Sequence, residues 1–204
     1  MDFDAYLNDI PLLHHWGGEW RRGGFDANSL RAISDVVRAH GEHLRIIETG
    51  AGNSTITFLH LEPTKLVSIA PDEALRDRIT GYCNDHGVPT EPLDYRVARS
   101  EAELPVIAGE AEPFDIAFID GDHGWPTAFV DFCYLNMVTR KGGLIFLDDI
   151  QLYSVAELTR LLEQQPGYEL VGDVYGKVQI WRKTTAQRFL PGHTQQPYIM
   201  ECSA

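Results

Sequence analysis

The chain has 204 residues, 44 % hydrophobic and 23 % charged, the composition of one ordinary globular domain with enough core to stand without staples. A net charge of −13 opposes a phosphate backbone, which argues against nucleic acid and for a small-molecule substrate. Cys83, Cys133 and Cys202 are widely spaced with no CxxC pair, which argues against a disulfide framework or a zinc knot. Cys83 and Cys133 fall in helical patterns and are expected as core or half-buried thiols without a catalytic role. Asp2 and Asp4 replace the basic start of a secretion signal, and no run has the length of a membrane span, so the expected location is the cytoplasm, away from membranes.

Phe3, Tyr6, Leu7 and Ile10 recur at helical spacing until Pro11. His14-His15-Trp16-Gly17-Gly18-Glu19-Trp20-Arg21-Arg22-Gly23-Gly24 then reads as a flexible segment, paired glycines around aromatic and cationic side chains. Residues 1–27 are therefore expected as an N-terminal arm, either a lid over a site or an arm packed on the domain or on a second subunit. Asn28 and Ser29 offer caps for a helix to about His40, stopped by Gly41. A first strand over 44–48, the glycine turn and a helix through about His60 follow, then a second strand over 65–70. Pro71 stands at a natural first helical position, with Asp72 and Glu73 in the first turn of a helix that ends at Gly87. The spacing predicts a third strand over 95–98 and a short acidic helix after Ser100, interrupted by Pro105.

Residues 114–120 form an apolar run ending in acid, as a strand buried on both faces should. The loop Gly121-Asp122-His123-Gly124-Trp125-Pro126 leads to a helix over 127–139. Lys141-Gly142-Gly143 turns into a strand over 144–147 that ends at Asp148-Asp149. A helix over 155–162 precedes two strands, 168–175 and 177–183, paired as a hairpin across Gly176. Strands alternating with helices, closed by that hairpin, predict a doubly wound α/β domain over 28–183. Its seven-stranded sheet is mostly parallel, with an antiparallel C-terminal hairpin strand. Residues 184–204 remain as a tail, which like the arm is a candidate homo-oligomer contact.

The first ligand-binding signal is Ile46-Ile47-Glu48-Thr49-Gly50-Ala51-Gly52-Asn53: an apolar strand, an acid, two glycines and a helix start, with Asn53 or Ser54 as cap. A dinucleotide fingerprint would place a third glycine at Thr55 and an acid at the end of the second strand, where Ala70 stands. That weakens an NAD(P) oxidoreductase reading, and Glu48 before the turn suits a ligand carrying a cationic amine. Residues 47–55 resemble motif I of class I S-adenosylmethionine-dependent methyltransferases. Phe114-Asp115-Ile116-Ala117-Phe118-Ile119-Asp120-Gly121-Asp122-His123, with Lys141-Gly142-Gly143-Leu144-Ile145-Phe146-Leu147-Asp148-Asp149, is similar to methyltransferase family 24 and more distantly to catechol-type and macrocin-type O-methyltransferases. The resemblance covers roughly residues 44–183 and implies a Rossmann-like methyltransferase fold. It also implies cofactor contacts at Glu48, Gly50, Ala51, Gly52, Asn53 and Asp120, and at Ser100 near the adenine; the ribose acid's position holds Ala70, so either Asp72 (or Glu73) reaches in from the next helix or the ribose contact is weakened.

Asp120, Asp148 and Asp149 end two strands expected to be neighbours. Three like charges together call for a cation, and oxygen ligands suit Mg²⁺ or another hard divalent ion. In the resembled enzymes the matching acids hold a metal that binds acceptor hydroxyls. For the base that removes the acceptor's proton, His123 and Asp122 are the candidates, His123 preferred because histidine titrates near neutrality. The sequence thus points to methylation of a small hydroxylated acceptor. A non-catalytic S-adenosylmethionine-binding or oligomerisation module is the alternative, and Ala70 is its best argument.

Overall fold

Asp2 accepts a hydrogen bond from Ala5 N and starts α1 (Phe3–Asn8), which buries Tyr6 and Leu7. The next segment is ordered where the sequence suggested flexibility. β1 (His14–Trp16) and β2 (Glu19–Arg21) pair antiparallel across Gly17 and Gly18, whose φ of 62° and 84° give the left-handed two-residue turn that matches strand twist. α2 (Ala27–His40) is capped two to three residues earlier than Asn28 and Ser29 imply. Asp26 accepts from Ser29 N at 2.8 Å.

β3 (Arg45–Thr49) enters the glycine turn and α3 (Asn53–Leu59) leaves it, and β4 (Lys65–Ile69) follows. α4 (Glu73–His86) starts at Asp72, which accepts from Leu75 N, so Pro71 lies outside the helix rather than at its first position. β5 (Leu93–Arg96) sits two residues earlier than expected. α5 (Ser100–Ile107) runs through Pro105, which removes one backbone donor without breaking so short a helix. β6 (Phe114–Ile119), α6 (Thr127–Val138) and β7 (Thr139–Leu147) come next. Residues 141–143 are an irregularity inside β7 rather than a turn before it: Phe114 faces Thr139 while Ile116 faces Leu144. α7 (Tyr153–Glu163) and the hairpin β8 (Tyr168–Val174) and β9 (Val178–Lys183) complete the sheet. This computed structural model describes residues 1–109 and 112–197, so Cys202 and the end of the expected tail lie outside the described residues.

The strand order is β5-β4-β3-β6-β7-β9-β8, parallel from β5 through β7 with β9 antiparallel to both of its neighbours. The chain winds outward from β3 through β4 to β5, then returns to add β6 on the other side. Helices cover both faces, and alternation along the strands assigns the side chains. Ile46, Ile116, Phe118, Leu144 and Phe146 join one core with α1 to α4, while Ile47, Ala117, Ile119, Ile145 and Leu147 join the other with α5 to α7. The arm belongs to the first core: Tyr6, Leu7, Ile10, Leu13 and Phe25 are buried in it. Cys83 is buried as expected and its thiol is pushed up to about 11, which leaves it inert. Cys133 is exposed, because it faces outward on α6. Among the described residues no helix is long and apolar enough to cross a membrane.

Phe118 is fully buried at the centre of the first core, with Phe25, Phe58 and Phe146 ring centroids at 5.8, 5.5 and 5.7 Å. Phe118→Ala is expected to cost about 3–5 kcal/mol in urea unfolding, and Phe118→Leu less than half of that.

Candidate functional site

A cleft of about 630 Å³ opens at the carboxyl ends of β3 and β6, where the winding reverses and parallel α/β sheets hold their ligands. Backbone bonds align the strand ends: Gly50 N to Ile69 O at 2.9 Å, Asp120 N to Thr49 O at 3.0 Å and Asp148 N to Ile119 O at 3.0 Å. Gly50 has φ of 85°, and a Cβ there would stand inside van der Waals contact of the Asp120 carbonyl. Only glycine lets the first turn pass so close to the second strand end. A Cβ on Gly52 would meet His14 Nε2 at 2.8 Å, so the glycines also admit the arm.

Glu48 does not line this cleft. It is fully buried behind the turn and accepts from Ser54 Oγ at 2.7 Å, Thr55 Oγ1 at 2.6 Å and Ser68 Oγ at 2.6 Å. Thr55 Oγ1 in turn accepts from Gly52 N at 3.0 Å. One carboxyl therefore ties β3, β4 and α3 to the glycine turn, and its role is to build the cradle. Burial pushes its pKa up to about 7 even though the three hydroxyls work the other way. Asn53 is not a cap either. Its amide donates to Pro11 O at 3.2 Å and Arg22 O at 2.6 Å, and Tyr6 donates to its Oδ1 at 3.1 Å. The side chain expected on the cofactor thus anchors the arm from the wall of the cleft.

The remaining expected residues do line the cleft: Gly50, Ala51, Gly52, Asp72, Ser100, Asp120, Asp122, His123, Asp148 and Asp149. Their roles differ. Asp72 caps α4 and pairs with Arg78 at 3.1 Å, so its carboxylate is committed before any ribose reaches it. Asp122 is exposed, accepts from Gly124 N at 2.9 Å and faces Arg99 at 3.8 Å, which shapes the loop. His123 is tucked between two acids, Nε2 3.8 Å from Asp120 Oδ1 and Nδ1 3.4 Å from Asp149 Oδ2. Its Nε2 is buried without a hydrogen-bond partner among the described residues. Trp125, in the same loop, is 80 % exposed.

The acids form a cluster with internal structure. Burial, and then the neighbouring Asp148 carboxylate, push Asp120 well above the usual carboxylate range. Asp120, His123 and Asp148 each offer a ligand atom within 4.8 Å of the others, a donor set that a divalent ion could use. Asp149, grouped with them on sequence grounds, is engaged by Lys177 at 2.6 Å, and Lys177 also lies 2.6 Å from Asp148. Burial opposes the charges of Asp149 and Lys177. Their contact outweighs it, holding Asp149 below and Lys177 above the ordinary value. Sequence reasoning missed Lys177, because its relevance depends on a turn 28 residues after Asp149. It also missed His14 and Arg22, which line the cleft from the arm. The Gly-Gly pair between two aromatic triplets was the available signal for their hairpin.

A family profile described as a methyltransferase domain matches residues 47–150. An uncharacterized protein of Acanthamoeba polyphaga mimivirus is 28 % identical over 121 residues, 55 % of this chain and 54 % of that protein. The chain thus spans about half the length of this curated relative. The O-methyltransferase TomG of Streptomyces achromogenes, involved in tomaymycin synthesis and solved with S-adenosylmethionine, has TM-score 0.67 at 18 % identity over 79 % of this chain and 82 % of that one. A Bacillus cereus O-methyltransferase solved with S-adenosylhomocysteine has TM-score 0.64 at 17 % identity over 86 % of both chains. An rRNA methylase of Streptococcus thermophilus has TM-score 0.59 at 15 % identity over 77 % and 97 %. These structures share the fold.

Glu48 supplies a pH signature. Its folded pKa lies above the unfolded one, so the stability it lends is complete below pH 4.5 and is lost as the pH rises through about 7. Glu48→Gln keeps the shape without the charge. Relative to wild type, the variant is expected to gain stability between those limits, reaching on the order of 3 kcal/mol at pH 8. Urea denaturation at several pH values checks this, and a constant difference would assign Glu48 no titration.

Proposed function

The chain belongs to the methyltransferase-domain family matched over residues 47–150, and on that premise we propose that it methylates an oxygen of a small hydroxylated acceptor, with S-adenosylmethionine as donor. The observation that carries the reading is that the glycine turn and His123 open on one cleft, so a donor on the turn and an acceptor beside the histidine can meet. Gly50 and Gly52, where a Cβ would strike the Asp120 carbonyl and His14, keep the backbone of the turn on the cleft, where a ligand's amino-acid half can lie, and Asp120 lines the same cleft beside it. Ser100, at the start of α5, lies on the wall expected to face the adenine. When bound, S-adenosylmethionine would supply a sulfonium methyl for in-line attack by the acceptor oxygen, with the O–CH3 bond forming as the S–CH3 bond breaks and S-adenosylhomocysteine leaving.

His123 is the base in this reading. Its Nε2 has no hydrogen-bond partner among the described residues and can take the acceptor's proton, while Asp149 beside Nδ1 steadies the imidazolium that results. Asp122 is the weaker candidate, because its exposed carboxylate is held by Gly124 N. A divalent ion would draw its ligands from Asp120, His123 and Asp148 and would acidify the acceptor hydroxyl. Lys177 already holds the Asp148 oxygens, so ion and ammonium are alternatives there. The non-catalytic reading draws on Ala70 and on the commitment of Asp72 to Leu75 N and Arg78, which leave the ribose without a dedicated acid.

Transfer of labelled methyl from S-adenosylmethionine to a panel of catechols, sugars and small phenols tests the proposal. Wild type is expected to label at least one class, with His123→Asn lowering kcat by about 10²–10⁴ while S-adenosylhomocysteine still binds. Donor binding with no transfer to any oxygen acceptor would favour the non-catalytic module.

A further inference from the structure

The acidic cluster comes with a cation of its own, and that cation belongs to the chain. Lys177 stands in the turn between β8 and β9. Its ammonium lies 2.6 Å from Asp148 Oδ1, 2.6 Å from Asp148 Oδ2 and 2.6 Å from Asp149 Oδ1. A lysine ammonium has three N–H donors, and here three carboxylate oxygens receive them. The placement is built rather than incidental. Lys177 N donates to Val174 O at 3.0 Å, and Ile150 N donates to Lys177 O at 3.1 Å, so the turn is stitched to the residue that follows Asp149. Asp149 itself takes φ of 54°, a left-handed bend where the chain leaves β7. The ammonium also lies 4.5 Å from the ring centroid of Phe25, which joins the arm to the cluster through a cation–π contact.

Asp148 is 1 % exposed, and both of its oxygens are already on Lys177. An ion entering between Asp120, His123 and Asp148 must therefore displace the lysine or sit beside a positive charge. We propose that Lys177 is the resident cation of this cluster, taking the electrostatic place of a divalent metal so that the protein binds no metal there, and holding Asp149 against His123. Lys177 is a positioning residue: it acts through Asp149, whose other oxygen is 3.4 Å from His123 Nδ1. The inference rests on the methyltransferase reading for its catalytic meaning, but its metal-binding content can be tested without that reading.

Calorimetric titration of the full chain with Mn²⁺ tests it, using wild type, Lys177→Met, Lys177→Gln and Lys177→Arg. Wild type and Lys177→Arg are expected to show no saturable binding. Lys177→Met and Lys177→Gln are expected to acquire a saturable one-to-one site once the competing charge is removed. A merely structural lysine would not create an ion site when neutralised, and the two neutral variants guard against one that fails to fold. Saturable Mn²⁺ binding by wild type would overturn the proposal, as would neutral variants that fold yet gain no site. In the labelled-methyl assay, wild-type transfer is expected to survive a chelator, and its loss would also overturn the proposal. Absence of all transfer would instead count against the methyltransferase reading, with the Mn²⁺ result still deciding the role of Lys177.

Discussion

Three hydroxyls converge on one dehydrated carboxyl, and the site depends on that convergence. Ser68 reaches Glu48 from the neighbouring strand in direct register, and Ser54 and Thr55 reach it from the first turn of α3. Thr55 passes the restraint to Gly52 N. The turn is thus fixed from behind, and its front face stays bare for a ligand. Gly50 then brings that face against the end of β6, so the turn and Asp120 become two walls of one cleft. A buried carboxyl without such partners would be costly; with them it orders three segments at once.

The opposite wall solves a different electrostatic problem. Asp120, Asp148 and Asp149 are gathered because two parallel neighbours end at the same level, a consequence of the register between β6 and β7. Burial first, and then Asp148, raise Asp120 well above the usual carboxylate range, while Asp149 is paired with Lys177. His123 sits between these two solutions, its ring facing an acid on either side. The N-terminal hairpin closes a third side: Asn53 holds the Arg22 carbonyl, and His14 approaches Gly52.

The sheet was legible because its signals are local. Runs such as 114–120 are apolar throughout, and only a strand covered on both faces uses such a run. Glycines 50 and 52 were legible for the same reason, since a turn between strand and helix needs them there. Roles were less legible than positions. Glu48 was singled out as a cofactor contact, and nothing in the chain around it says that Ser68, twenty residues on, will claim its oxygens from the side away from the cleft. Asn53 reads as a cap until Pro11 and Arg22 are known to pass over it. Lys177 was invisible as a site residue, because the β8–β9 turn reaches Asp148 only once β9 has inserted between β7 and β8. Long-range pairings of this kind are made by tertiary register, which periodicity does not encode.

The central claim is that this glycine cleft, organised by Glu48, receives an S-adenosyl nucleotide rather than a dinucleotide. Calorimetric titration of the full chain with S-adenosylhomocysteine and, separately, with NAD⁺ measures it most directly. The account predicts saturable one-to-one binding of S-adenosylhomocysteine, abolished by Gly50→Ala, and no binding of NAD⁺. Saturable NAD⁺ binding without S-adenosylhomocysteine binding would contradict it.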